Sequence, residues 1–315
     1  MRIVVTGGAG FIGKHLLDWL VADGHDVLAI DDLSRGRREH VPSRVPLQIV
    51  DLSQMAAVDL ARQFEAFQAE AVVHLAAVHF IPECMKNPER TFAINTKSMH
   101  TLIEAVQLSR VSRVVFASTV DVYKAEDCVH HEDHAAKPSN IYGLTKTLSE
   151  QILEYAVRVG ACESGLALRL ANVYGPNETN PHLIPDTLER IEQRHASALV
   201  MGYLGAARDF VHVKDIARAF GIAVTTGPSG FHALNAGTGT AVPIRSVVRM
   251  LQALLGDHRP VQEDVAAFRK FDRKSLTPSV DAIERVLGWR AETRIADGLQ
   301  QMVADILSAA TEQAA

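Results

Sequence analysis

The stretch that most constrains this chain lies at its start. Ile3 to Thr6 is a short apolar, β-branched run that leads straight into Gly7-Gly8-Ala9-Gly10-Phe11-Ile12-Gly13 and then an amphipathic stretch reaching about Asp23. A strand, a glycine loop and a helix in that order make a tight turn whose backbone N–H groups, with the positive end of the helix, can hold a pyrophosphate. Glycines also fill plain flexible turns, so the reading needs a second mark. Asp31 supplies it: it ends the next strand-like run about 20 residues beyond Gly10, where a carboxylate accepts hydrogen bonds from the hydroxyls of an adenosine ribose. A carboxylate there repels a 2′-phosphate, which favours NAD over NADP. Arg35, Arg37 and Arg38 read as a solvated loop, and Asp51, ending a third run, is a further group for the adenine end.

The alternation continues. Strand-like runs at Ile3–Thr6, Asp26–Ile30, Leu47–Val50, Ala71–Leu75, Arg113–Ala117 and Leu166–Leu170 are separated by helical patterns at about 12–23, 55–67, 88–109 and 142–159. Near-continuous apolar strands joined by helices give parallel βαβ units covered on both faces. The expected fold is α/β, a Rossmann-type doubly wound parallel sheet. After Asn172 come loops rich in Pro, Gly and Asn, then helices at about 183–194, 244–255 and 280–287. These form a smaller mixed α/β lobe over the carboxyl edge of the sheet, where such folds bind ligands. The expected division is 1–171 for the large lobe, with 209–225 returning to it, and 172–208 plus 226–315 for the smaller, substrate-binding lobe.

Composition narrows the partners. The chain has 315 residues, enough for two lobes, and 47% hydrophobic with 22% charged residues is a globular makeup. A net charge of −5 gives no basic field for a nucleic acid backbone. The longest apolar runs, Ala71 to Val78 and Ala198 to Ala207, fall short of the roughly 20 residues of a membrane span. The first residues enter a strand with no leader pattern, so the expected location is cytoplasmic. Cys84, Cys128 and Cys162 form no Cys-x-x-Cys pair and read as free thiols.

Tyr142-Gly143-Leu144-Thr145-Lys146 places a phenol and an ammonium one helical turn apart on one face. A neighbouring ammonium and a nicotinamide charge both favour phenolate, so the expected pKa of Tyr142 falls toward neutrality and the group can take a proton from a substrate hydroxyl. Ser118 and Thr119 end the fifth strand, and a hydroxyl there can share that proton.

Taken in order, these segments resemble the extended short-chain dehydrogenase/reductase family, and within it the NAD-dependent nucleotide-sugar epimerases and dehydratases, nearest the UDP-sugar 4-epimerases. Thr6–Gly13, Asp31–Arg38, His74–Ala77, Ser118-Thr119 before Val122-Tyr123, Tyr142–Lys146, Arg169–Pro176, Arg208–Val213 and Leu287–Trp289 carry the resemblance over nearly the whole chain. It implies NAD held by Gly7, Gly10, Phe11, Ile12, Gly13, Asp31, Asp32, Ser34, Asp51, Leu52, Ala76, Ala77 and Asn95 with Tyr142 and Lys146. Tyr142 would be the catalytic base, with Lys146, Thr119 and Ser118 assisting. The resemblance further implies a UDP-sugar held by His79, Thr119, Tyr142, Asn172, His182, Leu183, Arg208, Arg269 and Asp272. Arginine forks suit a diphosphate. The implied reaction is inversion at C4 of a UDP-hexose or UDP-hexuronate through a 4-keto intermediate, redox-neutral overall. A homodimer is implied, pairing the helices around 88–109 and 142–159.

Some residues depart from that pattern. Asp121 stands where nucleotide-sugar dehydratases and decarboxylases carry an acid, but Val120 supplies no second acid for loss of water. A dehydratase or decarboxylase using Asp121 is therefore the alternative reading, and a non-catalytic NAD- and nucleotide-binding protein is another. His79 replaces a common lysine, His182 an amide, and Leu276 stands where relatives limit the sugar's C2 substituent. Cys128, His130, His131, Glu132 and His134 fall in a loop that the family uses as an ordinary connection, and no metal is expected there.

Overall fold

The computed structural model describes residues 1–178, 180–193, 195–264 and 274–314, with side chains to residue 308. In chain order the first part runs β1 (Arg2–Thr6), α1 (Phe11–Ala22), β2 (Asp26–Asp31), β3 (Leu47–Ile49), α2 (Ala57–Phe67), β4 (Ala71–His74), α3 (Ile81–Lys86), α4 (Pro88–Phe92), α5 (Ser98–Ser109) and β5 (Arg113–Thr119). There follow β6 (Val129–His130), α6 (Ile141–Arg158), β7 (Ser164–Leu170), β8 (Asn172–Tyr174), α7 (Leu183–Glu192), β9 (Leu199–Met201), β10 (Ala207–His212) and α8 (Val213–Thr226). The chain closes with β11 (Gly230–Ala236), β12 (Ala241–Pro243), α9 (Ile244–Leu255), β13 (Val261–Glu263), β14 (Ser275–Pro278), α10 (Asp281–Leu287) and α11 (Ile295–Ala314).

Among the described residues, seven strands make one sheet in the order β11-β7-β5-β4-β1-β2-β3, and every neighbouring pair is parallel. The strands are buried on both faces because α1 and α8 cover one side and α2 and α5 the other. Two apolar clusters follow, one holding Leu16, Leu20, Ile216 and Phe220, the other Leu60, Phe64, Leu102 and Val106. Strand order reverses between β1 and β4, and a doubly wound sheet opens its ligand crevice at that point. Thr6 and His74, the last residues of β1 and β4, are joined by a 2.7 Å hydrogen bond under the crevice.

The smaller lobe has a second sheet, β12-β10-β14-β6 with β8 against β10. Its core gathers Ile184, Phe210, Val248, Leu251 and Leu299. This corrects the expected division: Val129–His130, expected in the large lobe, pairs with β14 here, while Ile283 and Trp289, expected in the smaller lobe, are buried in the large lobe's core. Gly230–Ala236 pairs along its length with β7 and forms the edge of the large sheet, although 226–315 was expected in the smaller lobe. Conversely Ala207–His212 belongs to the smaller sheet, and of the returning segment only α8 packs into the large lobe, against α1. The Phe231–Ala236 run has a strand's composition but nothing in it selects a sheet; its polar, half-buried face suits an edge position.

Candidate active site

A cavity of about 590 Å³ opens over the carboxyl ends of the large sheet and under the smaller lobe. At its floor the glycine loop is built so that no side chain fits. A Cβ on Gly13 would lie 2.3 Å from the Gly7 carbonyl oxygen and 2.6 Å from that of Gly8. Gly7 itself has a φ of +71°, and a Cβ there would meet the Ala76 nitrogen at 2.7 Å. The N-terminus of α1 has no side-chain cap, and Gly10 to Gly13 line the cavity, so the first-turn N–H groups are available to an anion.

Asp31 closes this end. Its carboxylate accepts from Ala9 N–H at 3.0 Å and Leu33 N–H at 2.8 Å, fixing the loop to the end of β2. Burial pushes its pKa up and those two hydrogen bonds pull it back. Asp32 accepts from Ser34 N–H at 2.9 Å and Asp51 from Ser53 N–H at 2.9 Å; Asp32, Ser34, Asp51, Leu52, Ala76 and Ala77 all line the same wall. Arg35, read from sequence as solvated, pairs on the rim with Glu83, which also takes Arg90 at 2.9 Å. These residues fit a dinucleotide: a backbone cradle for the diphosphate with acids beyond it for the ribose.

Asn95 does not reach the wall, contrary to the sequence expectation. A π turn at Ala93–Lys97 carries it inward, where its amide accepts from Val78 N–H at 2.8 Å and donates to the Val78 carbonyl at 2.9 Å and to Thr145. It holds the loop after β4 against α6 instead.

At the centre of the cavity α6 presents Tyr142 and Lys146. Lys146 is 2% exposed and donates to the Ala117 carbonyl at 2.6 Å. Burial lowers its pKa to about 7. The Thr119 hydroxyl lies beside Tyr142. The Tyr142 pKa moves opposite to expectation: burial pushes it above the ordinary value, the Asp121 charge adds to that, and the Thr119 hydroxyl only partly offsets them. Burial outweighs Lys146 here, whose ammonium is turned to Ala117 and lies 5.8 Å from the phenol ring centroid.

Ser118 is a further correction. Its hydroxyl donates to Glu150, away from Tyr142. Glu150 is held bidentately by Arg169, at 3.0 Å from Nε and 2.8 Å from Nη2. Arg169 continues to the Tyr123 hydroxyl at 2.9 Å, which donates to Asn235 at 2.7 Å. Burial works against the Arg169 charge, but Glu150 outweighs it and holds the guanidinium above its ordinary pKa. Composition gave no sign of this network, yet Glu150 stands four residues after Lys146 on the same helix face.

The smaller lobe supplies the opposite wall: Asn172, His182, Leu183 and Arg208. The sequence had not singled out Glu178, Asn180, Tyr203 or Phe210, which join them. Asn180 meets His79 at 3.0 Å and Glu178 pairs with His182, so each histidine has a fixed partner from the loop after β8. Leu276 is buried against Val120, Val122 and Tyr123, off the cavity wall. Arg269 and Asp272, expected to hold the nucleotide, lie outside the described residues.

A glycine cradle at the switch point and a Tyr-x-x-x-Lys helix in one cavity define a nucleotide-cofactor enzyme of the doubly wound class. The chain belongs to the NAD dependent epimerase/dehydratase family, which its residues 3–237 match. It is 33% identical to a UDP-glucose 4-epimerase of Azospirillum brasilense, covering 95% of this chain and 89% of the relative. Among solved structures, the UDP-glucose 4-epimerase of Thermotoga maritima with UDP-glucose superposes with a TM-score of 0.89 at 26% identity, covering 98% of this chain and 99% of that one. MoeE5 in complex with UDP-glucuronic acid and NAD gives 0.85 at 31% identity, covering 98% and 100%.

Proposed function

We propose that this protein inverts C4 of a UDP-hexose or UDP-hexuronate with NAD as a recycled cofactor. The observation that carries the reading is that Tyr142, with the Thr119 hydroxyl beside it, and buried Lys146 line the cavity that also contains the glycine cradle and Arg208. NAD, which the Gly7–Gly13 loop and Asp31 would hold, would supply a reversible hydride acceptor for C4. Tyr142 takes the proton of the C4 hydroxyl, Thr119 keeps the phenol oriented, and Lys146 supplies the positive charge that favours phenolate. Asn172 and Arg208 hold the diphosphate, so that the sugar can turn while its nucleotide end stays fixed. His79 and His182 line the same cavity, which supports a contact with the sugar or its phosphates.

The alternative, dehydration or decarboxylation through Asp121, has less support. Asp121 lies close enough to raise the Tyr142 pKa, but its neighbour Val120 is 3% exposed and brings no acid to the leaving oxygen. The reading is tested by incubating the purified protein, without added NAD, with UDP-glucose, UDP-glucuronate and UDP-N-acetylglucosamine and following the sugars by NMR. Appearance of a C4 epimer at constant mass supports it. Loss of water or carbon dioxide would transfer the assignment to Asp121, and no conversion of any sugar would leave a binding protein.

A homodimer is supported by a groove between α5 and α6 lined by His100, Ile103, Leu148, Ile152 and Tyr155, with Tyr155 57% and Val159 54% exposed. A monomer in sedimentation at micromolar concentration would refute it. Three unpaired cysteines support a cytoplasmic location. Among the described residues no helix is long and apolar enough to cross a membrane.

A further inference from the structure

Between β5 and α6 the chain reads Cys128-Val129-His130-His131-Glu132-Asp133-His134. The structure folds this stretch so that one donor atom each of Cys128, His130 and His134 lies within 4.8 Å of the other two. None of the three lines the cavity. We propose that these three side chains form a binding site for a divalent transition metal of the zinc class, separate from the NAD and sugar sites.

The chemistry of the set points there. A thiolate and two imidazoles select zinc, cobalt, nickel or copper over magnesium and calcium, which prefer oxygen. Among the described residues no carboxylate joins the three within 4.8 Å, and Glu132 and Asp127 accept elsewhere, from Asn235 N–H at 2.8 Å and Ser275 N–H at 3.1 Å. A tetrahedral ion would take these three ligands and one water.

The geometry is half prepared. His130 is 2% exposed and stacks on Tyr123 with centroids 4.9 Å apart and planes 12° apart. Its carbonyl accepts from Asn235 Nδ2 at 3.0 Å and Ser279 N–H at 2.8 Å, so this ligand is fixed. Cys128 and His134 are exposed and adjustable. Cys128 Sγ stands 3.9 Å from His130 Nδ1, and ligands around a tetrahedral zinc sit on the order of 3.5 Å apart, so a rotation of exposed side chains closes the site. Binding releases the thiol proton to solvent, and affinity falls as pH drops.

The test uses the full chain without a polyhistidine tag, titrated with Co²⁺ and then Zn²⁺. The expected result is one equivalent of Co²⁺ with a thiolate-to-metal charge-transfer band, displaced by Zn²⁺. Cys128→Ser removes the band, His134→Ala weakens binding by at least ~10-fold, the least expected where loss of even an outer partner costs ~10–100-fold, and His131→Ala binds like the parent. Zinc should also block alkylation of Cys128, with buried Cys84 and Cys162 as internal references. Cys128→Ser and His134→Ala alter exposed positions, and circular dichroism verifies their folding. Absence of saturable binding, or binding that both variants leave unchanged, overturns the proposal.

Discussion

Ser118 and Thr119 are neighbours in β5 and face opposite ways: the first donates to Glu150 behind the sheet end, the second meets Tyr142 in the cavity. Strand alternation makes this unavoidable, since successive side chains leave opposite faces. Thr119→Val should lower kcat by about 100-fold or more with the fold intact, the low end for a group assisting proton transfer. Ser118→Ala should instead leave kcat nearly unchanged and cost ~1–3 kcal/mol of stability, because a buried carboxylate loses a donor. Progress curves and urea unfolding on both variants check the pair; equal loss of kcat would refute the assignment.

The pH profile follows from the Tyr142–Lys146 pair. Burial lowers Lys146 to about 7 and pushes Tyr142 up, so the pair sheds its first proton near 7 whichever atom then keeps the other. The pair is base-competent only after that loss. Accordingly kcat/KM should rise as pH rises through about 7. In Lys146→Met the rising limb should move toward and beyond 10, the ordinary value for the phenol alone. An unmoved limb would separate Lys146 from the proton transfer.

His74 predicts an acid weakness. It is fully buried and burial, helped by the Lys146 charge, holds its pKa near 3 against an ordinary 6.5. Between those values the unfolded chain binds the proton and the folded protein does not, so stability falls as pH falls through that window. One such group contributes ~1.4 kcal/mol per pH unit. Denaturant unfolding at several pH values should show this slope, and His74→Gln should lower it by about one group's share, since burial also lowers His15 and His212.

Gly13→Ala tests the cradle. The added methyl meets two carbonyl oxygens that belong to backbone, so α1 must shift from the loop at a cost of ~1–3 kcal/mol. The purified variant should carry far less NAD than the parent, read by its absorbance after acid release, and melt earlier.

Arg208→Gln removes a charge from the substrate wall. If Arg208 holds the diphosphate equally in ground and transition states, KM should rise ~10- to 100-fold with kcat little changed, the equivalent of a charged hydrogen bond of ~1.5–3 kcal/mol. A fall in kcat alone would place Arg208 at the reacting end.

Much of this was legible in the chain. Gly7 to Gly13 and Asp31 carry their chemistry in spacing, because pyrophosphate and ribose are a fixed distance apart and the strand-helix geometry between them is rigid. Tyr142 and Lys146 were readable for the same reason. What escaped are relations between distant segments. The Glu150–Arg169 pair joins residues 19 apart, and only the packing of α6 on β7 brings them together. Asn95 was expected on the wall because the family resemblance implied it there; the π turn that carries it inward leaves no composition mark. Alternation along β5, by contrast, was available in the sequence and went unused: both hydroxyls were expected beside Tyr142, and only Thr119 lies there.

The rim ion pair has a consequence for how the cofactor comes and goes. In the sheet β1 lies between β2 and β4, so the contact from Arg35, after β2, to Glu83, after β4, passes over the glycine loop at the end of β1. Arg35 is 62% exposed, and such a contact weakens in salt. A dinucleotide beneath this bridge would leave somewhat faster as ionic strength rises, by no more than the few-fold that an exposed pair worth ~0–1 kcal/mol allows.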